Sequence, residues 1–238
     1  MPQDTPHLTY VVVGGSHGIG LGIVKRMLAG GAAVTVVSRT APQLGEPSGV
    51  SHVPWDITQQ ELPAGRLPPS IDGLAYCPGS INLGPIRTLK AEAMHQDFHL
   101  NAVGAVKCLQ AALPAMKAAA RSSMLLFSTV AVAQGLPLHA SVAAAKGAVE
   151  GLTRTFAAEL APHIRVNCLA LSLTDTPLAE RLLSSEAKRT ALAARHPLQR
   201  IGSVDDAAAI AEFLLSDAAG WITGQVIGVD GGLSTLRT

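Results

Sequence analysis

Residues 11–31 read VVVGGSHGIGLGIVKRMLAGG, an apolar run that breaks into closely spaced glycines and then resumes with helical periodicity. Tyr10 to Val13 is short, apolar and β-branched, the composition of a parallel strand buried on both faces. Gly14, Gly15, Gly18 and Gly20 permit a tight turn and let the backbone approach a diphosphate, with Ser16, His17 and Ile19 filling the loop between them. Leu21, Val24, Lys25 and Leu28 recur at helical spacing, so the loop opens a helix whose free N–H groups and positive dipole end face an anion. Glycines also cluster in ordinary turns; the strand before and the helix after are the context that a nucleotide site requires.

Composition narrows the class. The 238 residues carry a net charge of +1 with no basic run, which makes nucleic acid and anionic membrane poor partners. MPQDTPHLTY has no apolar leader pattern and no later segment is long and apolar enough to span a bilayer, so a cytoplasmic protein is expected. Cys77, Cys108 and Cys168 are widely spaced in apolar surroundings, as suits buried thiols in a reducing compartment rather than disulfides or a metal site. Apolar content of 48% against 15% charged residues is high for a monomer and points to helix faces buried between subunits.

Strand and helix then alternate. Ala33 to Ser38 is the second strand, followed by Arg39 and Thr40. An acidic residue at that strand end would bond adenosine ribose hydroxyls, whereas an Arg among small polar residues suits a 2′-phosphate. The sequence therefore predicts NADP(H) in preference to NAD(H), with His17 adding partial positive charge; the alternative is a solvated Arg at a strand end. Ala41 to Ser70 is rich in Pro and Gly and predicts compact loops around a short third strand, Gly49 to Pro54. Asp56, with Ile57 beside it, either accepts from an adenine amino group or caps the next turn.

Gly73 to Cys77 is the fourth strand, running into Pro78 and Gly79. Ala91 to Ala119 has a long helical pattern with Met94, Phe98, Asn101, Ala105, Cys108 and Leu109 near one face, and Pro114 is expected to bend or end it. Asn101 in that apolar stripe needs a hydrogen-bond partner. Ser123 to Ser128 is the fifth strand, followed by Thr129, and an Ala-rich helix then carries Lys146. Ile164 to Leu169 is the sixth, leading into LSLTDTPL with Leu173 and Thr176. Helical patterns over Pro177 to Arg195 and Val204 to Leu215 precede a last strand, Gln225 to Val229. The expected architecture is α/β: one Rossmann-type, doubly wound domain over residues 1–238, with a seven-stranded parallel sheet, helices on both faces and a substrate-loop segment near 172–200.

In order along the chain these motifs resemble the short-chain dehydrogenase/reductase family. Gly14 to Gly20 looks like its TGxxxGxG loop with Gly14 in the Thr position, Asp56 falls at its adenine-contacting Asp, and YCPG at Tyr76 to Gly79 stands where the family has NNAG. Asn101, Thr129 and Lys146 match the asparagine, serine and lysine of its catalytic tetrad. RVNCLALSLTDT resembles RVNxIxPGxxxT with Leu171 and Ser172 in place of Pro-Gly, and PLQRIG and ITGQVIGVDGG match the C-terminal pattern. The resemblance implies a nicotinamide cofactor held by the glycine loop, Pro78, Gly79, Lys146, Leu173 and Thr176. It also implies a small-molecule substrate and a homotetramer assembled through the Asn101 and Lys146 helices and the C-terminal segment.

One position departs from the pattern. Val142 stands four residues before Lys146, where the family carries its catalytic tyrosine, and neither Tyr10 nor Tyr76 has a lysine four residues on. Carbonyl reduction leaves an alkoxide that must be protonated, and valine has no proton to give. His139, seven residues before Lys146, is either a substitute donor two helical turns away or a loop histidine beside Pro137. Ser141 is a second substitute, or the N-cap of a helix starting at Val142. Dienoyl-CoA reductases of the same family also lack this tyrosine, so conjugated thioesters join ketones as substrates. The leading expectation is an NADPH-dependent reductase of a carbonyl or activated double bond with a non-tyrosine proton donor. The rival is an NADPH-binding sensor or cofactor-holding subunit without catalysis.

Overall fold

A computed structural model describes residues 8–44, 49–59 and 61–237; residues 45–48 and 60 of the Pro- and Gly-rich stretch lie outside that description. The strands are β1 Thr9–Val13, β2 Ala33–Ser38, β3 Val50–Pro54, β4 Gly73–Tyr76, β5 Ser122–Thr129, β6 Ile164–Leu171 and β7 Val226–Val229. They make one seven-stranded sheet in the order β3-β2-β1-β4-β5-β6-β7, and every pairing is parallel. Strand order reverses between β1 and β4. At such a switch point the loops leaving the carboxyl ends diverge, which opens the crevice where doubly wound sheets hold ligands.

Helices cover both faces: α1 Gly18–Ala29, α2 Ala91–Phe98, α3 Gly104–Ala118, α4 Ala140–Leu160, α5 Glu186–Ala193 and α6 Val204–Leu215. Because side chains alternate along a strand, β1 sends Tyr10 and Val12 to one face and Val11 and Val13 to the other. The first set packs with Ile23, Val24, Ala208 and Ala211 of α1 and α6. The second packs with Ala105, Cys108, Ala112 and Val149 of α3 and α4. Gly22 lets α1 lie against α6, since a Cβ there would collide with Val204.

The long Ala91 to Ala119 pattern is not one helix. A π turn at His99–Val103 separates α2 from α3, and the inserted residue rotates one half against the other. Asn101, Ala105, Cys108 and Leu109 are buried as expected, but Met94 and Phe98, assigned to the same face, are exposed, and Asp97 is turned inward instead. Pro114 does not end the helix, which continues to Ala118. The expected helix over Pro177 to Arg195 is also divided, into a 3-10 turn at Pro177–Ala179 and α5, whose start is capped by Ser185 accepting from Lys188 N at 3.3 Å. Ser141 is not an N-cap: α4 begins at Ala140, two residues before the expected Val142, and His139 precedes it without a side-chain cap.

Candidate active site

The glycine loop has the conformation its composition requires. Gly14 and Gly18 have φ of 74° and 51°, and a Cβ on Gly20 would collide with the Gly14 carbonyl oxygen. His17 precedes α1 without a side-chain cap, which leaves the first-turn N–H groups free for a ligand. At the rim, Ser16 Oγ lies 2.8 Å from His17 Nδ1, Thr40 Oγ1 donates to Ser16 Oγ at 3.4 Å, and Ser38 Oγ donates to the Thr40 carbonyl at 2.7 Å. Arg39 is exposed beside this cluster. Loop and strand end thus meet, as spacing alone does not ensure.

Asp56 serves its own turn: Oδ1 accepts from Thr58 N at 2.9 Å and Thr58 Oγ1 at 2.7 Å, and Oδ2 accepts from Gln59 Nε2 at 3.2 Å. The Thr58 hydrogen bonds hold its carboxyl below the ordinary value, with a smaller contribution from Arg39. Ile57 is in the core, so its side chain faces away from the crevice rim. Pro78 packs against Gly14, and Thr176 stands across the loop from Gly18.

Beyond the loop lies a cavity of about 300 Å³ whose walls include Ile19, Ser80, Thr129, His139, Val142 and Lys146. Leu173 and Thr176 border it too. Lys146, on the second turn of α4, is buried, and its Nζ donates to the Phe127 carbonyl at 2.8 Å. Burial lowers its pKa from 10.5 to about 8, against the opposing pull of Cys168, Cys77 and Asp97. Thr129 Oγ1 accepts from Ala131 N at 3.3 Å and keeps its own proton to donate. Ser128 is drawn away by Glu150, donating to Oε1 at 2.7 Å.

Behind the wall is a buried carboxylate that the sequence reading passed over. Asp97 Oδ1 accepts from Ser80 Oγ and Asn82 Nδ2, both at 2.6 Å, and Oδ2 accepts from Ser141 Oγ at 2.5 Å. Asn101 Nδ2 donates to the Asp97 carbonyl at 2.8 Å and to Ser80 Oγ at 3.3 Å. The spacing of Asp97 and Asn101, one helical turn, was the available signal. Ser141 therefore ties α4 to α2, and it is absent from the cavity lining. His139 does border the cavity; its Nδ1 lies 2.7 Å from the Pro137 carbonyl, so that nitrogen carries the proton and Nε2 is the acceptor of the neutral ring.

Two features fit a bound dinucleotide. Asn101 Oδ1 is buried with no hydrogen-bond partner among the described residues, and it faces the small space over Gly79 into which Lys146 Nζ also points. The uncapped start of α1 and the glycine loop supply the anion site at the other end.

A family model described as enoyl-(acyl carrier protein) reductase matches residues 13–234. The chain is 30% identical to the 2,5-dichloro-2,5-cyclohexadiene-1,4-diol dehydrogenase of Sphingobium indicum, over 98% of this chain and 100% of the relative. It is 33% identical to L-xylulose reductase of Bos taurus, over 93% and 94%. It belongs to the short-chain dehydrogenase/reductase family. Among solved members, a gluconate 5-dehydrogenase from Burkholderia cenocepacia in complex with NADP and tartrate superposes with a TM-score of 0.86 at 26% identity, covering 97% of this chain and 96% of that one.

Within this short-chain dehydrogenase/reductase, Val142 is buried and forms cavity wall. Neither tyrosine takes its place. Tyr76 is buried, its OH donates to the Leu100 carbonyl at 2.6 Å, and burial raises its pKa well above 10. Tyr10 is in the core on the α1 side. The thiols are no substitute: burial pushes Cys77, at the cavity edge, up to about 12, and Cys108 and Cys168 likewise. Among the described residues no helix is long and apolar enough to cross a membrane, and no three His, Cys, Asp or Glu side chains are placed to hold a metal ion.

Proposed function

We propose that this chain is an NADP(H)-dependent oxidoreductase that reduces a carbonyl or activated double bond of a small molecule with a proton donor other than tyrosine. The observation that carries the reading is the convergence of Ile19 of the glycine loop, Thr129, Val142 and Lys146 on one cavity. The cofactor, when bound, supplies hydride. Gly14 to Gly20 and the start of α1 hold its diphosphate, and Arg39, with Ser16, His17, Ser38 and Thr40, holds a 2′-phosphate. Absence of an acidic residue at the end of β2 supports NADP(H) over NAD(H). Asp56, Ile57, Pro78, Gly79, Leu173 and Thr176 complete the cofactor channel, mostly by backbone and shape.

Lys146 acts twice. Its ammonium donates to ribose hydroxyls, and its charge stabilises oxygen that becomes anionic as the substrate is reduced. The Thr129 hydroxyl orients that oxygen, and Asn101, fixed by the Asp97 and Ser80 contacts, holds a water or ribose hydroxyl near Lys146. The protein works in the cytoplasm as a homotetramer assembled through the Asn101 and Lys146 helices and the C-terminal segment; exposed Met94 and Phe98 on α2 and fully exposed Trp221 support assembly. Light scattering reads this, and a dilute monomer ends it.

The experiment is titration with NADPH and NADH in a calorimeter, followed by NADPH oxidation with ketones, enoyl thioesters and dienoyl thioesters. Saturable micromolar NADPH binding with turnover of one class is expected; binding of neither nucleotide sinks the reading. Val142 favours a second reading, a cofactor-holding sensor without chemistry. Silence of the wild type on every class, with ketone reduction appearing in Val142→Tyr, selects that alternative.

A further inference from the structure

The cavity that Lys146 lines is also lined by a second pair of groups, Ser172 and His196. Ser172 follows β6, and His196 follows α5. Ser172 Oγ lies 2.7 Å from His196 Nε2, and His196 Nδ1 lies 2.9 Å from the Leu192 carbonyl. A carbonyl only accepts, so Nδ1 must carry a proton. In the neutral ring Nε2 is then a bare acceptor and Ser172 donates to it; in the protonated ring Nε2 donates to Ser172 Oγ. The contact thus carries a proton in either direction without moving a heavy atom.

Its position matters as much as its distance. Ser172 and His196 line both the cavity with Lys146 and a second, more polar cavity of about 410 Å³ bordered by Arg200, Asp206 and Asp230. His196 is 3% exposed, held by α5, and packed by Gly231. Facing charges are Asp230 after β7, Asp206 of α6 with Arg200 paired to it, and Arg195 and Lys146 on the first cavity. Burial raises the Asp230 carboxyl, but hydrogen bonds from Ser234 and Gly232 outweigh it and keep it an anion.

We propose that Ser172 and His196 are the proton relay of this enzyme, standing where the missing tyrosine's function is needed. This rests on the reductase reading above. As hydride from the dihydronicotinamide adds to the carbonyl carbon, the C=O π pair moves to oxygen. The Ser172 O–H bond breaks toward that oxygen while the Nε2–H bond of protonated His196 breaks toward Ser172 Oγ. Substrate would gain one hydride, supplied by a bound reduced nicotinamide as two-electron donor, and one proton from Ser172, and Nε2 would be reprotonated from water in the second cavity. An imidazole holds or releases a proton near neutrality, which a lone serine does not. His139, half-buried on the loop before α4, has its Nδ1 committed to the Pro137 carbonyl.

The test has two arms. In protein labelled with 15N-histidine, with Ser172→Ala and His196→Asn for assignment, the neutral His196 ring should carry its proton at Nδ1, and Ser172→Ala should move the Nε2 resonance. In the second arm, NADPH oxidation with 2,3-butanedione and ethyl acetoacetate as probes should fall by about 100-fold or more in both variants, with NADPH affinity by fluorescence within about twofold. Turnover retained in either variant, an Nε2–H tautomer in an active wild type, or loss on His139→Asn with retention in Ser172→Ala overturns the relay alone. A wild type that reduces no carbonyl, enoyl or dienoyl probe overturns the reductase reading and the relay with it.

Discussion

Asn101 Oδ1 and Lys146 Nζ converge on Gly79: each lies 3.4 Å from the point a Cβ on that glycine would occupy. The methyl group of Gly79→Ala therefore fits, but it fills the one space that both polar atoms face. Stability is expected to change by less than about 1 kcal/mol, while NADPH affinity falls at least about tenfold. Calorimetric titration beside a urea melt checks this; unchanged affinity would mean that no ligand passes over Gly79.

Gly20→Ala differs in kind. Its added Cβ meets the Gly14 backbone, with the Gly14 carbonyl carbon at 2.9 Å, and backbone cannot rotate aside. Both stability and binding should suffer, by roughly 1–3 kcal/mol for the first and beyond detection for the second. A folded variant that binds NADPH normally contradicts the geometry of the loop.

Arg39→Asp removes the exposed cation at the end of β2. A charge-assisted hydrogen bond to phosphate is worth about 1.5–3 kcal/mol, so the ratio of NADPH to NADH affinity should drop roughly 10- to 100-fold. Equal ratios in variant and wild type refute the assignment of Arg39 to the 2′-phosphate.

The Lys146 pKa of about 8 gives a pH dependence with a definite sign. Burial favours the neutral amine in the folded chain, so between about pH 8 and pH 10.5 the unfolded chain binds more protons and this residue's contribution to stability rises with pH. Below about pH 8 the cost of burying the ammonium is fully present. Ligand binding runs the other way, because the cation is lost above that value. NADPH affinity in the wild type should weaken between about pH 7 and 9.5, and Lys146→Met should show a flatter profile. Parallel profiles would show that another group titrates.

Asp97→Ala leaves Ser80, Asn82 and Ser141 without their shared acceptor. Loss of a buried, three-way hydrogen-bonded carboxylate is expected to cost about 2–4 kcal/mol in denaturant unfolding. A cost under about 0.5 kcal/mol would place water where the carboxylate was.

The sheet was legible in the sequence because its central strands are short, largely apolar runs, β-branched in β1 and β2, and β2 matches residue for residue. The glycine loop, Asn101 and Lys146 were legible by type and spacing. Asp97 was passed over, despite its one-turn spacing from Asn101, because a stripe drawn through Met94 and Phe98 takes no account of the π turn at His99–Val103. Ser141 was misplaced because a serine near a helix start reads as a cap, whereas tertiary contact with Asp97 claims its hydroxyl. Ser172 and His196 lie 24 residues apart on opposite sides of α5, and only the packed chain brings them together.

The π turn also separates two kinds of mutational pressure. An uninterrupted helix would lock the outer side of α2 and the inner side of α3 into one angular frame, so that reshaping either would turn the other. With an extra residue between them, Met94 and Phe98 can be exchanged to change what this surface meets. The interior side keeps Asn101 and Ala105 in place throughout. The exposed and the buried sides of one stretch of chain can thus diverge without negotiating with each other.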